Sequence, residues 1–446
     1  MNRVRFACSV AACFGSASVA SAQWDPTHAQ WGKTRPSDLR VMTWNVQDGV
    51  CTSNPKASTD ADWDGLVRSV AAFKPDVLFM QETGDNSGNG TGSGLDSVAD
   101  LATVISMFFN GGTDSFRGNA AITSWVKKYA ASFDMPYVFV SANNDGFNRN
   151  VILSRYPFAD LNGDNKATNG DIFSVSPDLY APGGGGGIRG FATTEINLPD
   201  SIYAGNLLAA TCHLKSGGDS QSMADRITAS QNITYFLDYF FNGANAGTPD
   251  PRNRIGDSPA ATSILGPTTP MIWGGDFNED ELNNGRKGPA EWMTIAPSSA
   301  AQDGTDRDRS DSTYDSSVEF FSGSRNTQGS SKLDYICWQD SIATLRRSWV
   351  FNSALVPLAD QPPEFAGYIF GIVTLSTNAS DHRLVVADFR LPLRCPADWN
   401  LDGSVDDFDF FDFLNDFAAN SADYNNDGST DDFDFFDFLN DFAAPC

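Results

Sequence analysis

The sequence predicts an α+β fold in which two sheets pack together between flanking helices, followed by a small separate helical module. Three observations carry this. Strand-like runs outnumber helical ones and the two kinds mix along the chain, the pattern of packed sheets with helices on their outer faces. Hydrophobic residues make up 41% of the chain and aromatics 12%, ample for a packed core and incompatible with wholesale disorder. Near the C-terminus, residues 397–420 recur at 422–445, offset by 25, and only four of the 24 positions differ.

In chain order, Leu39–Val46 (LRVMTWNV) reads as a buried strand ending on polar residues. Ser58–Lys74 has helical spacing, with Trp63, Leu66, Val67, Val70 and Phe73 on one face and Pro75 as its stop. Asp76–Met80 is a second strand, leading into Gln81 and Glu82, and residues 84–94 form a Gly/Ser/Asn-rich loop. Amphipathic helices are expected near Val98–Phe109 and Ala120–Phe133, and another over Met223–Phe241. Later strands are expected at Val151–Arg155, Arg189–Asn197, Asn206–His213, Met271–Gly274, Lys332–Trp338 and Leu384–Leu391.

Residues 1–22 have the form of a secretory signal peptide. Arg3 and Arg5 precede an apolar stretch, and Ala20-Ser21-Ala22 offers a small-x-small cleavage site. A mature, secreted chain would keep Cys51, Cys212, Cys337, Cys395 and Cys446. Cys395 and Cys446 bracket the final module and are expected to form a disulfide; the other three stay unassigned. Formal net charge is −26, and residues 395–446 account for −14 of it, with 14 Asp and no Lys or Arg. Binding a nucleic-acid backbone by counterion release alone is therefore excluded, whereas a metal-assisted contact is not.

Six polar positions or pairs stand where strands stop: Asn45 in TWN, Glu82 in MQE, His213 in CHLKS, Asp276 and Asn278 in GGDFN, Asp334 in KLDYI, and Asp381-His382 in SDH. Hard oxygen donors of this kind suit Mg²⁺ or Mn²⁺ rather than zinc. Histidine titrates near neutrality, and two of the three histidines fall in these motifs. Singly each motif is weak; their joint occurrence in one order is the signal. In that order they resemble the endonuclease/exonuclease/phosphatase superfamily, the deoxyribonuclease I-like proteins, over residues 36–393. The resemblance implies a four-layer α/β/β/α sandwich with its site at one mouth of the two sheets. It implies Glu82 as the main metal carboxylate, Asn45 beside it, and Asp381 near metal and phosphate. It further implies that His382 contacts the scissile phosphate and pairs with Asp334, that His213 donates to a phosphate oxygen, and that Asp276 and Asn278 orient the attacking water. Arg149, Asn150 and Arg189 lie near strand starts and either face phosphate or make structural polar contacts.

In the repeat, Asp398, Asn400, Asp402, Ser404 and Asp409 occupy positions 1, 3, 5, 7 and 12 of a loop, and Asp423, Asn425, Asp427, Ser429 and Asp434 do so again. Gly403 and Gly428 hold the sixth position, where a calcium loop turns sharply. Position 12 is Asp rather than the usual Glu. Each loop precedes a Phe-rich helix whose apolar stripe needs a partner. Residues 395–446 thus resemble a dockerin, an EF-hand-like duplicated calcium module, although no Lys or Arg recognition pair is present, so a cohesin-like or cell-surface scaffold partner rests on analogy. A third, weaker candidate loop runs from Asp160 through Asn162 and Asp164 to Asp171.

The reading that unites these features is a secreted metal-dependent phosphodiester hydrolase, a nuclease, attached through its tail. The alternatives are a phospholipid or sphingomyelin phosphodiesterase, a nucleotide phosphatase, or a non-catalytic attachment protein. Retention of the whole polar set argues against the last.

Overall fold

The computed structural model describes residues 30–446 apart from 52–53, 85–96, 143–147, 160–170, 173–190, 243–265, 284–287, 295–311, 426, 428 and 445. The leader, the Gly-rich loop from residue 85 onward, the Asp160–Asp164 loop, the glycines at 183–187 and Arg189 lie outside the described residues. The chain divides into two compact units, one of Asp25–Cys395 and one containing Pro396–Cys446. Among the described residues, no helix is long and apolar enough to cross a membrane.

The larger unit is built on two sheets. The first runs, edge to edge, through Thr344–Val350, Val385–Arg390, Leu39–Asn45, Val77–Thr83, Arg149–Ser154 and Tyr137–Val140. The second runs through Ser312–Tyr314, Asp334–Gln339, Met271–Asp276, Leu207–His213, Phe191–Ile196 and Phe158–Ala159. Each sheet contains one parallel pair, Leu39–Asn45 with Val77–Thr83 and Leu207–His213 with Met271–Asp276.

Period-two alternation decides what each strand face meets. Leu39, Val41, Val77 and Phe79 of the first sheet share one buried cluster with Leu207, Ala209, Ile272 and Ile336 of the second, so these faces form the inter-sheet core. The intervening residues face outward. Met42, Trp44, Leu78 and Met80 pack with the helices Ala61–Phe73 and Val98–Asn110. Leu208, Ala210, Met271 and Trp273 pack with the helices Ser220–Asn242 and Pro289–Thr294. Three stacked apolar layers make a four-layer α/β/β/α sandwich. Trp44, Trp63, Trp273 and Trp349 are fully buried in it, each contributing about 2–3 kcal/mol by burial.

Local chemistry sets the helix ends. The first helix starts at Ala61 because the Asp60 side chain accepts from the Trp63 amide at 2.9 Å, and it ends where Lys74 turns left-handed before Pro75. Ser97 caps the second helix and Gly111, at φ 71°, stops it. The helix expected over Ala120–Phe133 shrinks to Val126–Tyr129. There the Ile122 and Thr123 amides donate to the Gly112 and Lys56 carbonyls, so tertiary hydrogen bonds hold the segment extended against its helical spacing. The strand Thr344–Val350 does not show in the hydropathy pattern because Arg346 and Arg347 interrupt it. Both guanidiniums are neutralised, by Asp38 and Asp388, each at 2.8 Å.

Cys51, Cys212 and Cys337 are buried and outside any disulfide, and burial pushes the Cys212 and Cys337 thiols well up. Cys395 and Cys446 are disulfide-bonded.

In the smaller unit, the helices Asp407–Ala418 and Asp432–Phe442 each open on a capping box, Asp406 with Asp409 and Asp431 with Asp434. Phe413 and Phe438 stack at 4.0 Å with rings 4° from parallel, in a cluster with Ala397, Ala422 and Tyr424. Each apolar stripe therefore buries against the other. Phe408, Phe411, Phe433 and Phe436 remain outside, 58–70% exposed.

Two glycines bear directly on the sandwich. A Cβ on Gly274 would lie 3.3 Å from the Phe79 ring of the opposite sheet, and one on Gly275 would lie 1.8 Å from the Cys212 carbonyl oxygen. Gly275→Ala is expected to destabilise the larger unit by about 3 kcal/mol or leave it insoluble. Denaturant unfolding with m unchanged and a midpoint equal to the native protein's would contradict this account of strand packing.

Candidate active site

The inter-sheet layer changes from apolar to polar toward one end, and it does so strand by strand. Along the inward faces Val41 is followed by Thr43 and Asn45, Phe79 by Gln81, Ala209 by Thr211 and His213, Gly274 by Asp276, and Ile336 is preceded by Asp334. At the middle level the Gln81 amide donates to Thr211 Oγ1 at 2.9 Å and to Thr43 Oγ1 at 3.2 Å, tying the sheets together. At the outer level, register places His213 opposite Asp276 and Asp276 opposite Asp334, three polar residues on adjacent strands.

Asp276 is the centre. Its Oδ2 accepts from the Asn45 side-chain amide at 3.0 Å, across the gap between sheets, and lies 3.3 Å from His213 Nε2 and 3.6 Å from His382 Nε2. Its Oδ1 accepts from the Asn278 backbone amide at 2.8 Å. Two carboxylates side by side on neighbouring strands repel. His382 relieves this by standing between them, with Nδ1 2.8 Å from Asp334 Oδ2. Burial alone would lower the His382 pKa, but Asp334 and Asp276 together override it and push it up to about 10. Asp276 stays well below the usual carboxylate range: burial opposes this, and His382, His213 and the Asn45 amide outweigh it.

Glu82 arrives by a different device. Gln81 and Glu82 both face the single residue Asn150, a β-bulge between Met80 and Thr83, and Glu82 adopts a left-handed φ of 53°. It lies 3.7 Å from His213 Nε2 with about a quarter of its side chain exposed. Asn278, also left-handed at φ 55°, donates from its side chain to the Leu214 carbonyl.

Asp381 is exposed at the rim. Its amide donates to Gln47 Oε1 at 3.0 Å and its Oδ2 accepts from Gln328 Nε2 at 2.9 Å. Gln47 in turn donates its amide to Asn45 Oδ1. Ser380 Oγ donates to the Asn45 carbonyl and accepts from the His382 amide, while the Trp44 indole donates to the His382 carbonyl. Thr327 Oγ1 accepts from the Asp334 amide. Gln47, Gln81, Thr327, Gln328 and Ser380 thus hold the site together; Gln81 and Ser380 lie within the MQE and SDH motifs, whereas Gln47, Thr327 and Gln328 are revealed only by their fold neighbours. Arg149 donates to the Ser141 and Ala142 carbonyls, a structural contact.

The structure therefore gathers Asn45, Glu82, His213, Asp276, Asn278, Asp334 and His382 at one end of the inter-sheet layer, with Asp381 tied to them through Gln47 and Gln328. Asp276, Asp334 and His382 each offer a ligand atom within 4.8 Å of one another. Because His382 Nδ1 is hydrogen-bonded to Asp334, that trio is better suited to holding a proton than an ion. Glu82 and Asp381, the carboxylates expected to hold a metal, are not part of that cluster.

The sequence model described as "Endonuclease/Exonuclease/phosphatase family" matches residues 42–382. The chain belongs to this family. Members are typically hydrolases of phosphoester bonds, and divalent metal ions are usual among them. Similar solved structures include an endonuclease/exonuclease/phosphatase from Beutenbergia cavernae, 18% identical over 80% of this chain and 72% of that one, TM-score 0.40. The human Nocturnin catalytic domain with bound sulfate is 16% identical over 80% and 95%, TM-score 0.40. D. rerio TDP2 complexed with a single-strand DNA product is 13% identical over 79% and 99%, TM-score 0.38. No curated protein matches the sequence.

With three histidines in the chain, His382 is readily assigned by NMR. In metal-free protein its ring is expected to titrate far above the ordinary 6.5, and Asp334→Asn should bring that midpoint down by at least one unit. A native midpoint near 6.5 would show that the two carboxylates do not govern it.

Proposed function

We propose that the protein is a secreted, metal-dependent phosphodiester hydrolase, a nuclease, attached to a surface or scaffold by a calcium-binding dockerin-like tail. The observation that carries the catalytic part is the placement of His382 between the buried carboxylates of Asp334 and Asp276, beside His213 and Glu82. A histidine held protonated there is a donor to a phosphate oxygen, and Asp334 fixes its tautomer and ring orientation. His213 donates from the other side. Asp276, held ionised, is the acceptor that orients water for in-line attack on phosphorus, with Asn278 shaping the turn that carries its hydrogen bond. A divalent cation at Glu82, Asp381 and Asn45 would supply Lewis-acid stabilisation of the charge that develops on phosphate oxygens. Such preorganised donors are commonly worth about 3 kcal/mol each in the transition state.

The arrangement of the tail supports the calcium reading. Asp398 and Asn400 accept from backbone amides inside their own loop, and Asp409 accepts from the Asn400 and Asp406 amides, so the loop backbone orients the side chains of positions 1, 3 and 12. Asp434 and Asn425 repeat the pattern. Burial, and then the charges of Asp409 and Asp402, push the Asp398 carboxyl up against its Gly403 hydrogen bond, a repulsion that a cation would relieve. The four exposed phenylalanines offer the attachment surface.

His382→Ala and Asp276→Ala are each expected to lower kcat on DNA or RNA at least a hundredfold with circular dichroism unchanged. Near-normal turnover by either folded variant sinks the catalytic assignment. EDTA should abolish hydrolysis, and Mg²⁺ or Mn²⁺ should restore it; activity that survives chelation, or returns only with zinc, contradicts the metal assignment. Calorimetric titration of the full chain should find two Ca²⁺ sites lost together in an Asp398→Ala/Asp423→Ala variant. Calcium binding unchanged by that double substitution removes the tail assignment.

A further inference from the structure

A cavity of about 100 Å³ adjoins the His382–Asp334 pair without belonging to the site, since none of the residues gathered there lines it. Thr327 is common to both. It lines the cavity, its Oγ1 accepts from the Asp334 amide at 3.2 Å, and its carbonyl accepts from the Arg383 amide at 2.7 Å.

Two opposite charges line this cavity and do not meet. Glu319 is 1% exposed. Its Oε2 accepts from the Phe321 and Ser322 amides at 3.1 and 2.8 Å, whereas its Oε1 has neither hydrogen bond nor ion pair among the described residues. Arg383 donates only to neutral oxygens, the Ser376 and Ser380 carbonyls and Thr377 Oγ1, each at 3.2 Å. Its Nε has no acceptor among the described residues. Neither has the side-chain amide of Asn326, nor the Nδ2 of Asn352, whose Oδ1 accepts from the Ala354 amide.

A buried carboxylate oxygen without a donor is costly unless the occupant of the cavity supplies one. The lining selects that occupant. A bare cation would satisfy Glu319 but face Arg383, and an inorganic anion would satisfy Arg383 but face Glu319. An apolar molecule would strip water from both charges. A molecule carrying one positive and one negative group satisfies both at once, with the Asn326 and Asn352 amides left to donate to its anionic end. Room for several waters holds about five or six heavy atoms, the size of a small α-amino acid.

We propose that this cavity is a binding site for a small free amino acid, with its ammonium at Glu319 Oε1 and its carboxylate at Arg383. The lining alone carries this reading, which is independent of the phosphoester the protein cleaves.

Glycine is the probe. It is titrated into the full-length protein and followed by saturation transfer to its methylene protons, with acetate and methylammonium as single-charge controls. Saturable binding in the millimolar range is expected, as a ligand of this size allows, with each control at least tenfold weaker. Glu319→Gln keeps an oxygen for the Phe321 and Ser322 amides and should weaken glycine at least tenfold. Leu355→Trp, at a lining position 40% exposed, should fill the cavity from its rim and do the same with Glu319 in place, which keeps the test decisive if Glu319→Gln does not fold. No saturable glycine signal, or an affinity unaltered by folded Glu319→Gln or by Leu355→Trp, overturns the proposal. Acetate that competes with glycine and binds as tightly overturns it in favour of an anion pocket. Methylammonium or Ca²⁺ that does so overturns it in favour of a cation site.

Discussion

The Asn45–Asp276 hydrogen bond joins two sheets that share no strand pairing among the described residues, and the site depends on that junction. Asn45 and Glu82 come from one sheet; His213, Asp276 and Asp334 come from the other. Their mutual distances are set by how closely the sheets approach, and that approach is fixed by the apolar residues below them. Leu39, Val41 and Phe79 press against Ala209, Ile272 and Gly274, and the missing side chain at Gly274 lets Phe79 in. Packing at organic-crystal density makes this separation stiff, so catalytic geometry is a property of the whole core. Gln81 adds a polar strut at the level where apolar contact ends.

Like charges at the mouth are tolerated because histidine is distributed among them. Asp276 and Asp334 would repel as direct cross-strand neighbours, yet His382 bridges them and His213 flanks Asp276 from the far side. The same interactions that stabilise two buried carboxylates hold an imidazolium in place, so the electrostatics that the fold requires and those that phosphate chemistry requires coincide.

Much of this could be read in the sequence. The alternation in LRVMTWN and LLAATCH passes from aliphatic residues through threonine to Asn45 and His213, and that passage marks both the inward face and the end that carries chemistry. The motif residues were identifiable because they stand at or near strand ends: Asn45, His213 and Asp276 close strands, Asp334 opens one, and Asp381-His382 precede one. Gln47, Thr327 and Gln328 gave no such signal, since their roles arise from loops brought together by the sandwich. The strand at Thr344–Val350 was hidden by Arg346 and Arg347, whose charges are cancelled only by the distant Asp38 and Asp388. The helix over Ala120–Phe133 had the right spacing, but hydrogen bonds to Lys56 and Gly112 outweigh that local preference. In the tail, the duplicated loops and stripes announced the helix pair directly, because the repeat encodes its own packing partner.

The buried thiols determine what happens after the molecule comes apart. While folded, Cys51, Cys212 and Cys337 are sealed in the core, and the two on the second sheet are held as thiols by burial. Unfolding releases these nucleophiles into a chain in which Cys395 and Cys446 are disulfide-bonded. Exchange then scrambles the pairing, and an exchanged chain must bury a cross-link where the native core holds thiols. In an oxidising medium, thermal unfolding is thereby converted into an irreversible loss, and the protein's working lifetime is set by how seldom its sheets separate.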